Sequence, residues 1–521
     1  MGIRILVGLV ASTAAALAFA APARAEWLEA RSKHFVVYGD LAEAELRDKT
    51  QKLERYDAAL RAQFGLTTED VATIYMVDSL DDIRRLAGRA GVGAYYRSSA
   101  QESHGFVPRR LPREIPGMTA DTVLYHEYTH HILLSNTSQY FPGWATEGLA
   151  ELFSTARFAD NGDVIIGAPN ESRGYAMNGL SAWSVKRLIE SDINPPKQTE
   201  RIELYSRGWL LCHYLLISGN RPGQFAKYVE LINKGVTPLQ AGQTAFGDLG
   251  KLDSEVERYV RGRSLQTSLL SANKIKADTN VAVRKMTAGE AAIMPYRMVS
   301  ANGVTEKTAE SLAEKASAIG ARYPGDIFVQ RAMAEMEYDS KHYEAAEAAA
   351  NRVLAVDPKN VMALAYKGRV HAQRALKGKD ANEWREARRL FLAANQANPD
   401  HALPFELFYD SYVAAGQVPP ASALTGIRRA IVLVPADIEL RIRAGMALIR
   451  VNELALARSQ FAPVAYDPHN NGKNPFAKLV AVMDAGADRE TLLAKAAELK
   501  IDRVNEFDPP KFNEDVPDKG S

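Results

Sequence analysis

The chain has 521 residues, 46% of them hydrophobic, so it is long enough for two or three folded domains. Its 64 Lys and Arg residues nearly balance its 63 Asp and Glu residues. The chain therefore has no overall basic field, which argues against nucleic acid as a partner. Cys212 is the single cysteine, so no intramolecular disulfide can form.

Residues 1–25 have the pattern of a secretory signal peptide. Arg4 precedes a largely apolar run, and an A-x-A cleavage motif ends at Ala25. An uncleaved membrane anchor is the alternative, but the apolar run is short for a membrane span. We expect an exported mature chain with no stable membrane insertion, and the lack of disulfides in an Ala-rich exported chain favours the bacterial periplasm.

Between residues 27 and 110, β-favouring and helical segments alternate, which predicts a small α/β unit. The glycines at 88–93 lack the Lys-Ser/Thr of a phosphate-binding loop, so we interpret them as turn residues. Strands are predicted at 35–38, 71–77, 94–97 and 104–107, with a helix at 41–64.

A possible metal site follows in the motif His126-Glu127-x-x-His130. Residues four apart on a helix lie one turn apart and about 40° around its axis, so both imidazoles can reach one ion. Glu127 lies beside them, where a carboxylate can take a proton from a metal-bound water. Leu124 and Ile132 belong to a separate apolar stripe, which would let the helix bury its other side.

This five-residue motif arises by accident in many proteins, but the next predicted helix adds a third ligand. A catalytic zinc site needs three protein ligands and one open position, and Glu147 on an antiparallel neighbouring helix is such an acid. Polar and turn-forming residues at 135–141 allow the chain to reverse. Because two imidazoles and one carboxylate suit zinc, we predict one Zn²⁺ per chain, held by His126, His130 and Glu147.

The two segments together resemble the gluzincin clan of zinc metallopeptidases, in particular its bacterial peptidase-MA-like members. They read His126-Glu-x-x-His130 and Trp144-x-x-Glu147-Gly-x-Ala-Glu151. The resemblance extends loosely over residues 27–270 and implies that the two histidines and the Glu before Gly are metal ligands. It also implies that the Glu of the first motif is the general base, and that the fold is zincin-like.

Two further positions are predicted around the ligands. Glu151 lies four residues after Glu147, on the same helical face, where an acid can orient a metal-bound imidazole; a solvated surface acid is the alternative. Tyr205 resembles the Tyr that opens a downstream helix in related proteins and would donate to a developing oxyanion. His213, two turns further on, is the competing candidate, and a plain core role for Tyr205 is also open.

The rest of the chain is predicted to be a connection and a repeat region. β-favouring pieces within residues 272–304 suggest a small hairpin that links two domains, and residues 506–521 suggest a disordered tail. Residues 305–505 resemble a tetratricopeptide array, whose 34-residue period is a helix pair, although a plain helical domain is the alternative. Prolines recur at intervals of 33 to 41 residues, at Pro324, Pro358, Pro399, Pro435 and Pro468.

We therefore predict an α+β fold, a zincin-like metallopeptidase domain over residues 26–271, followed by an all-α tetratricopeptide solenoid. The predicted function is exported, zinc-dependent hydrolysis of peptide bonds by a water that Glu127 activates, while the repeats recruit a protein substrate or partner on a concave surface. Two alternatives remain. One is a non-catalytic adaptor or chaperone-like protein with a vestigial zinc site, and the other is a zinc amidase that acts on cell-wall material.

Overall fold

The computed structural model describes residues 26–66, 71–87, 93–111, 117–135, 141–169, 171, 183–191, 195, 197–262, 265–465 and 474–501. The predicted signal peptide and the predicted disordered tail lie outside these residues. So do Pro468, residues 136–140 of the predicted chain reversal and most of the glycine-rich segment at 88–93.

Nine strands in the described residues form a six-stranded and a three-stranded sheet. In the larger sheet the order is β4-β5-β3-β2-β1-β9, with β2, β3 and β5 parallel and the outer pairs antiparallel. The smaller sheet has the order β6-β7-β8. The strands are β1 (Leu28–Arg31), β2 (Phe35–Gly39), β3 (Ala72–Val77), β4 (Tyr95–Arg97), β5 (Ser103–Pro108), β6 (Arg157–Phe158), β7 (Val164–Ile166), β8 (Ser268–Leu270) and β9 (Ala282–Lys285).

Helices make up most of the remaining described chain. The first group, with the small sheet, completes the N-terminal part: α1 (Glu43–Phe64), α2 (Leu80–Ala87), α3 (Ala120–Ser135), α4 (Gly143–Ser154), α5 (Val185–Ile189), α6 (Gln198–Leu216), α7 (Gln224–Asn233), α8 (Pro238–Phe246), α9 (Leu249–Val260), α10 (Ala272–Ile275) and α11 (Ala288–Ala301). The second group forms the C-terminal part: α12 (Glu306–Arg322), α13 (Ile327–Asp339), α14 (Tyr343–Val356), α15 (Val361–Gly378), α16 (Ala381–Ala397), α17 (Ala402–Ala414), α18 (Ala421–Leu433), α19 (Ile438–Arg450), α20 (Leu454–Ala465), α21 (Pro475–Asp484) and α22 (Arg489–Glu498).

The core of the N-terminal part lies between the larger sheet and helices α1 and α3. Leu46, Leu53 and Leu60 repeat every seven residues along α1 and are fully buried, so one stripe of this helix faces the core. The predicted helix and the four predicted strands of this region are confirmed. An α+β part followed by an all-α part is likewise what the structure shows.

The predicted hairpin in the connecting region is wrong. Strand β9 pairs with β1 at the edge of the larger sheet, so residues 282–285 belong to the N-terminal part. Residues 292–299 lie inside helix α11, which begins with a capping box in which the Thr287 and Glu290 side chains each bond the other's backbone N–H. This cap starts a helix where the β-favouring residues alone suggested a strand.

The C-terminal part is a succession of antiparallel helix pairs. Pro324, Pro358, Pro399 and Pro435 each stand two residues after the end of a helix, where a proline cannot continue it. Gly368 of α15 lies so close to the Phe391 ring of α16 that a Cβ at this position would overlap the ring. The glycine therefore permits the close packing of the two helices. The helix-pair architecture is shown, and the tetratricopeptide identity of the pairs stays a prediction.

One segment of the N-terminal part, Ser98–Glu102, lies against the first helices of several pairs, and we call it the bridging segment. The backbone N–H of Ala100 donates to Asp437 Oδ2 at 2.7 Å, and Ala100 belongs to a hydrophobic cluster of the repeats. The Tyr366 hydroxyl donates to Gln101 Oε1 at 3.1 Å. The two parts are therefore joined by buried polar and apolar contacts.

A second connection reaches helix α3 itself. The buried guanidinium of Arg441 donates to the carbonyl oxygen of Leu134 at 3.3 Å, near the end of α3. The Ser98 hydroxyl lies 3.3 Å from His131 Nδ1, on the same helix. The repeats thus contact the helix that carries the His-Glu-x-x-His motif.

Among the helices of the described residues, none combines the length and the apolar character needed to cross a lipid bilayer.

Candidate metal centre

Helix α3 buries one face and presents the motif on another. Its start is capped by Thr119, whose hydroxyl accepts from the backbone N–H of Thr122 at 3.1 Å. Leu124 and Ile132 are buried, as the apolar stripe predicts. His126 and the other motif residues can then face away from the sheet.

Buried hydrogen bonds fix the rotation of α3 from behind. The Tyr128 hydroxyl donates to Asp57 Oδ1 at 2.6 Å, and the hydroxyls of Tyr56 and Thr129 lie 2.7 Å apart. Because these contacts link α3 to α1, the helix cannot turn about its axis without breaking them. The two histidines are thereby directed toward α4.

A close crossing of α4 and α6 completes the surroundings of the site. A Cβ at Gly148 would lie 2.5 Å from the Gly208 carbonyl oxygen, and a Cβ at Gly208 would lie 2.7 Å from that of Trp144. Only glycines allow this approach. It brings α6, which carries Tyr205, close to α4, which carries Glu147.

His126, His130 and Glu147 meet at one point. The two Nε2 atoms are 3.1 Å apart, and Glu147 Oε2 lies 3.5 Å from each of them. Bonds of about 2.05 Å to a tetrahedral ion would separate two ligand atoms by about 3.3 Å. The three side chains therefore form a group that could hold a metal ion, all of its ligand atoms lying within 4.8 Å of one another.

The charges of these side chains favour a cation between them. Burial alone would lower the pKa of His126, but the carboxylates of Glu147, Glu151 and Glu127 raise it to about 9. Burial would raise the pKa of Glu147, but the charge and hydrogen bonds of His130 and His126 hold it well below its usual range. A divalent ion would meet the same carboxylates that now favour the protonated imidazole.

Glu151 contacts the other side of the His126 ring. Its Oε1 lies 3.4 Å from His126 Nδ1, while Nε2 of that ring faces Glu147. Glu151 is 3% exposed, so the alternative of a solvated surface acid is wrong. An acid in this position fixes the orientation of an imidazole whose other nitrogen binds a metal.

A cavity of about 320 Å³ opens beside the three converging side chains. Its lining includes His126, Glu127, Glu151 and Tyr205. Glu127 therefore faces the space where a substrate and a water would lie next to the candidate metal ligands.

The structure separates the two residues that were considered for the oxyanion. The Tyr205 ring stacks on the His126 ring, with centroids 6.1 Å apart, and it lines the cavity. The His213 ring instead has its Nε2 atom 3.0 Å from the Gly167 carbonyl oxygen and its Nδ1 atom 2.9 Å from the Tyr259 hydroxyl. His213 is buried and does not line the cavity, so Tyr205 is the better placed of the two.

A second group of side chains, His34, Glu54 and Asp57, has ligand atoms equally close together, and we call it the His34 cluster. His34 Nδ1 lies 2.8 Å from Glu54 Oε2 and 3.4 Å from Asp57 Oδ2. Asp57 also accepts from Arg61 Nε at 2.7 Å. The Arg61 guanidinium is therefore already paired with this cluster. The sequence analysis did not predict the His34 cluster.

Two cavity residues were also missed by sequence reasoning. Arg201 and Gln198 lie on α6 and line the cavity together with Tyr205. Arg201 precedes Tyr205 by four residues, and that spacing on a predicted helix places both on one face. This spacing was the signal that could have identified Arg201.

No protein-family model matches the chain, and no curated protein matches it. The likeness to gluzincins is thus carried by the two motifs.

Proposed function

We propose that this protein is a zinc-dependent peptidase of the gluzincin type, with one zinc ion held by His126, His130 and Glu147. The observation that carries the proposal is the convergence of these three side chains within 4.8 Å, at the edge of a cavity that Glu127 lines. A purely structural metal site would have no need of a carboxylate base facing an open cavity.

The donor set suits zinc better than other common ions. Two imidazole nitrogens and one carboxylate oxygen leave a fourth position for substrate or water, whereas magnesium and calcium prefer oxygen ligands alone. Glu147 comes from a neighbouring helix, so α3 and α4 must both be in place before the set is complete. Zinc, when bound, supplies a Lewis acid that polarises a carbonyl and makes water more acidic.

The protein side chains supply the proton transfers and the alignment. Glu127 takes a proton from the attacking water and returns it to the leaving amine. Tyr205, which lines the cavity beside His126, donates its hydroxyl to the oxyanion that develops on the scissile carbonyl. Glu151 holds the His126 ring in its orientation through the 3.4 Å contact with Nδ1.

Recruitment of a protein substrate or partner by the repeats is part of the same proposal. The bridging segment contacts Tyr366 on one helix of the repeats and Asp437, which caps the start of another, so a partner would bind the repeats outside that surface. This occupation weighs against the alternative of an adaptor that binds its partner there. Export to the periplasm depends on residues 1–25 and is likewise proposed.

Glu127→Gln is the direct test. The variant should keep one zinc per chain, because Glu127 is not among the three converging ligands, and lose peptide hydrolysis by about 10²- to 10⁴-fold. Metal analysis and cleavage of a peptide library measure the two effects. Glu190→Gln, which changes an exposed acid elsewhere, is the matched control. A Glu127→Gln variant that cleaves as fast as the wild type would refute the mechanism.

Substrate profiling also separates peptidase from amidase. Both would use the same ligands and the same base. Cleavage of unmodified peptides supports the peptidase, whereas turnover confined to cell-wall fragments supports the amidase. Stoichiometric zinc without turnover of any substrate would leave the adaptor.

A further inference from the structure

One face of helix α6 forms a wall of the cavity. Gln198, Arg201, Ile202 and Tyr205 all line it, and their spacing of three or four residues places them on one side of the helix. Tyr205 stands at the end of this wall that contacts His126. Arg201 precedes it by four residues, about 6 Å along the helix axis.

Arg201 gives this wall a fixed positive charge. Apart from His126, it is the only basic side chain among the described lining residues, whereas Glu127 and Glu151 are the acids. Its Nη1 donates to the Pro195 carbonyl oxygen at 3.3 Å, and the side chain is exposed. A guanidinium that lies in the cavity and reaches solvent can meet a charged group of an incoming substrate.

We propose that Arg201 makes the cavity selective for substrates that carry a carboxylate one or two residues away from the bond that reacts. This inference rests on the proposed function. Arginine is suited to the role because its planar fork can donate two parallel hydrogen bonds to a carboxylate. The separation of about 6 Å from Tyr205 along α6 matches one or two residues of an extended peptide, which advances about 3.3 Å per residue.

The carboxylate has two possible sources, an acidic side chain or the C-terminus of the substrate. Both present the same group to a guanidinium, so the structure specifies the chemistry and the experiment separates the sources. A preference of about tenfold over a neutral amide is expected, because a charge-assisted hydrogen bond at an exposed position is partly screened. The preference should fall as the salt concentration rises.

Short peptide hydroxamates test the inference by binding, since they chelate a metal whether or not the protein cleaves peptides. One pair carries Gln or Glu before the hydroxamate and one pair carries Gln or Glu after it, all with blocked ends. A fifth compound places Gln after the hydroxamate and ends in a free carboxylate. Dissociation constants are measured for the zinc-loaded wild type, Arg201→Met and Lys197→Met.

The wild type should bind at least one carboxylate compound about tenfold more tightly than its neutral counterpart. Arg201→Met should bind both equally. Lys197→Met is the matched control, because Lys197 is exposed, stands immediately before the same helix and does not line the cavity, and it should keep the preference. Preference for a Glu compound indicates an acidic side chain, and preference for the fifth compound indicates a C-terminus.

The outcomes distinguish this inference from the proposed function. Equal binding of all compounds by the wild type, or a preference that survives in Arg201→Met, overturns the inference even if peptides are cleaved. A preference that depends on Arg201 supports it even if no peptide of a library is hydrolysed, in which case the peptidase proposal fails alone. If no hydroxamate binds, the cavity is not a peptide site and the inference is overturned as well.

Discussion

Two clusters in the N-terminal part combine histidine with buried carboxylates, and they meet opposite faces of the same helix. The candidate metal centre consists of His126, His130 and Glu147, and the His34 cluster reaches α3 through Tyr128. In both, potential ligand atoms lie within 4.8 Å of one another. Distance alone therefore does not tell a metal site from a hydrogen-bonded network.

The partners of the carboxylates make the difference. In the His34 cluster, Asp57 accepts from Arg61 and from the Tyr128 hydroxyl, so its negative charge is already balanced by a guanidinium. In the metal centre, Glu147 faces two imidazoles beside an open cavity. A buried carboxylate that is paired with arginine supports the fold, whereas one that faces imidazoles next to a cavity suits a metal ion.

Of the substitutions in the two clusters, Glu147→Gln should have the largest effect, and that effect is on zinc affinity. It removes the charged ligand from the metal centre, and zinc affinity should fall by more than about 100-fold, since even residues behind the ligands contribute 10- to 100-fold in metal sites. Competition with a zinc-binding dye measures the change. Glu54→Gln, the corresponding substitution in the His34 cluster, should leave zinc affinity unchanged. Equal losses in the two variants would contradict the assignment of the metal centre.

Asp57→Asn should have the opposite effect, lowering the stability of the fold while leaving zinc binding unchanged. It withdraws the anion from a guanidinium that is 10% exposed, and loss of one partner of a buried pair costs about 3 to 5 kcal/mol. We expect a lower urea midpoint, while zinc stays at one per chain.

The matched control for Asp57 lies on the same helix. Asp48 pairs with Lys52 at the same four-residue spacing, but both side chains are much more exposed. Asp48→Asn should therefore change the stability by only about 0.5 kcal/mol. Loss of zinc in Asp57→Asn, with the fold intact, would show that the His34 cluster takes part in metal binding.

Glu54→Gln should destabilise the fold less than Asp57→Asn does, and its effect depends on pH. Burial would raise the pKa of Glu54, but hydrogen bonds from the His34 side chain and backbone hold it below its ordinary value of 4.5. A lowered pKa in the folded state means that the ionised carboxylate contributes stability above pH 4.5, and that this contribution is lost as the pH falls through the folded-state pKa. Glu54→Gln should cost about 1 kcal/mol at pH 7 and progressively less below pH 4.5, as urea unfolding at several pH values can show.

The comparison of clusters also shows what a sequence can reveal. The candidate metal ligands were predicted because His126 and His130 are four residues apart on one helix, and Glu147 follows on the next helix in a motif of its own. The His34 cluster gives no such local signal. His34 lies 20 residues before Glu54, and only the packing of α1 against β2 brings them together.

The fold shows the same division between local and distant determinants. Strands β2, β3, β4 and β5 were predicted from their own residues, whereas β1 was not. Strand β9 falls within a segment that was predicted to favour β-structure, but its partner was predicted wrongly. Strand β9 takes its place only by pairing with β1, more than 240 residues earlier in the chain. Helix α11 was missed because its capping box outweighs the β-favouring residues that follow.

The bridging segment joins the N-terminal part to the repeats across the predicted domain boundary near residue 304. Ala100 fills a space among apolar side chains of the repeats, and Asp437 is a deeply buried acid whose charge is met in part by the backbone of that segment. A fragment made of the repeats alone would expose this apolar surface to water and deprive Asp437 of a donor. We therefore expect the repeats to unfold together with the N-terminal part and the junction near residue 304 to resist proteolysis.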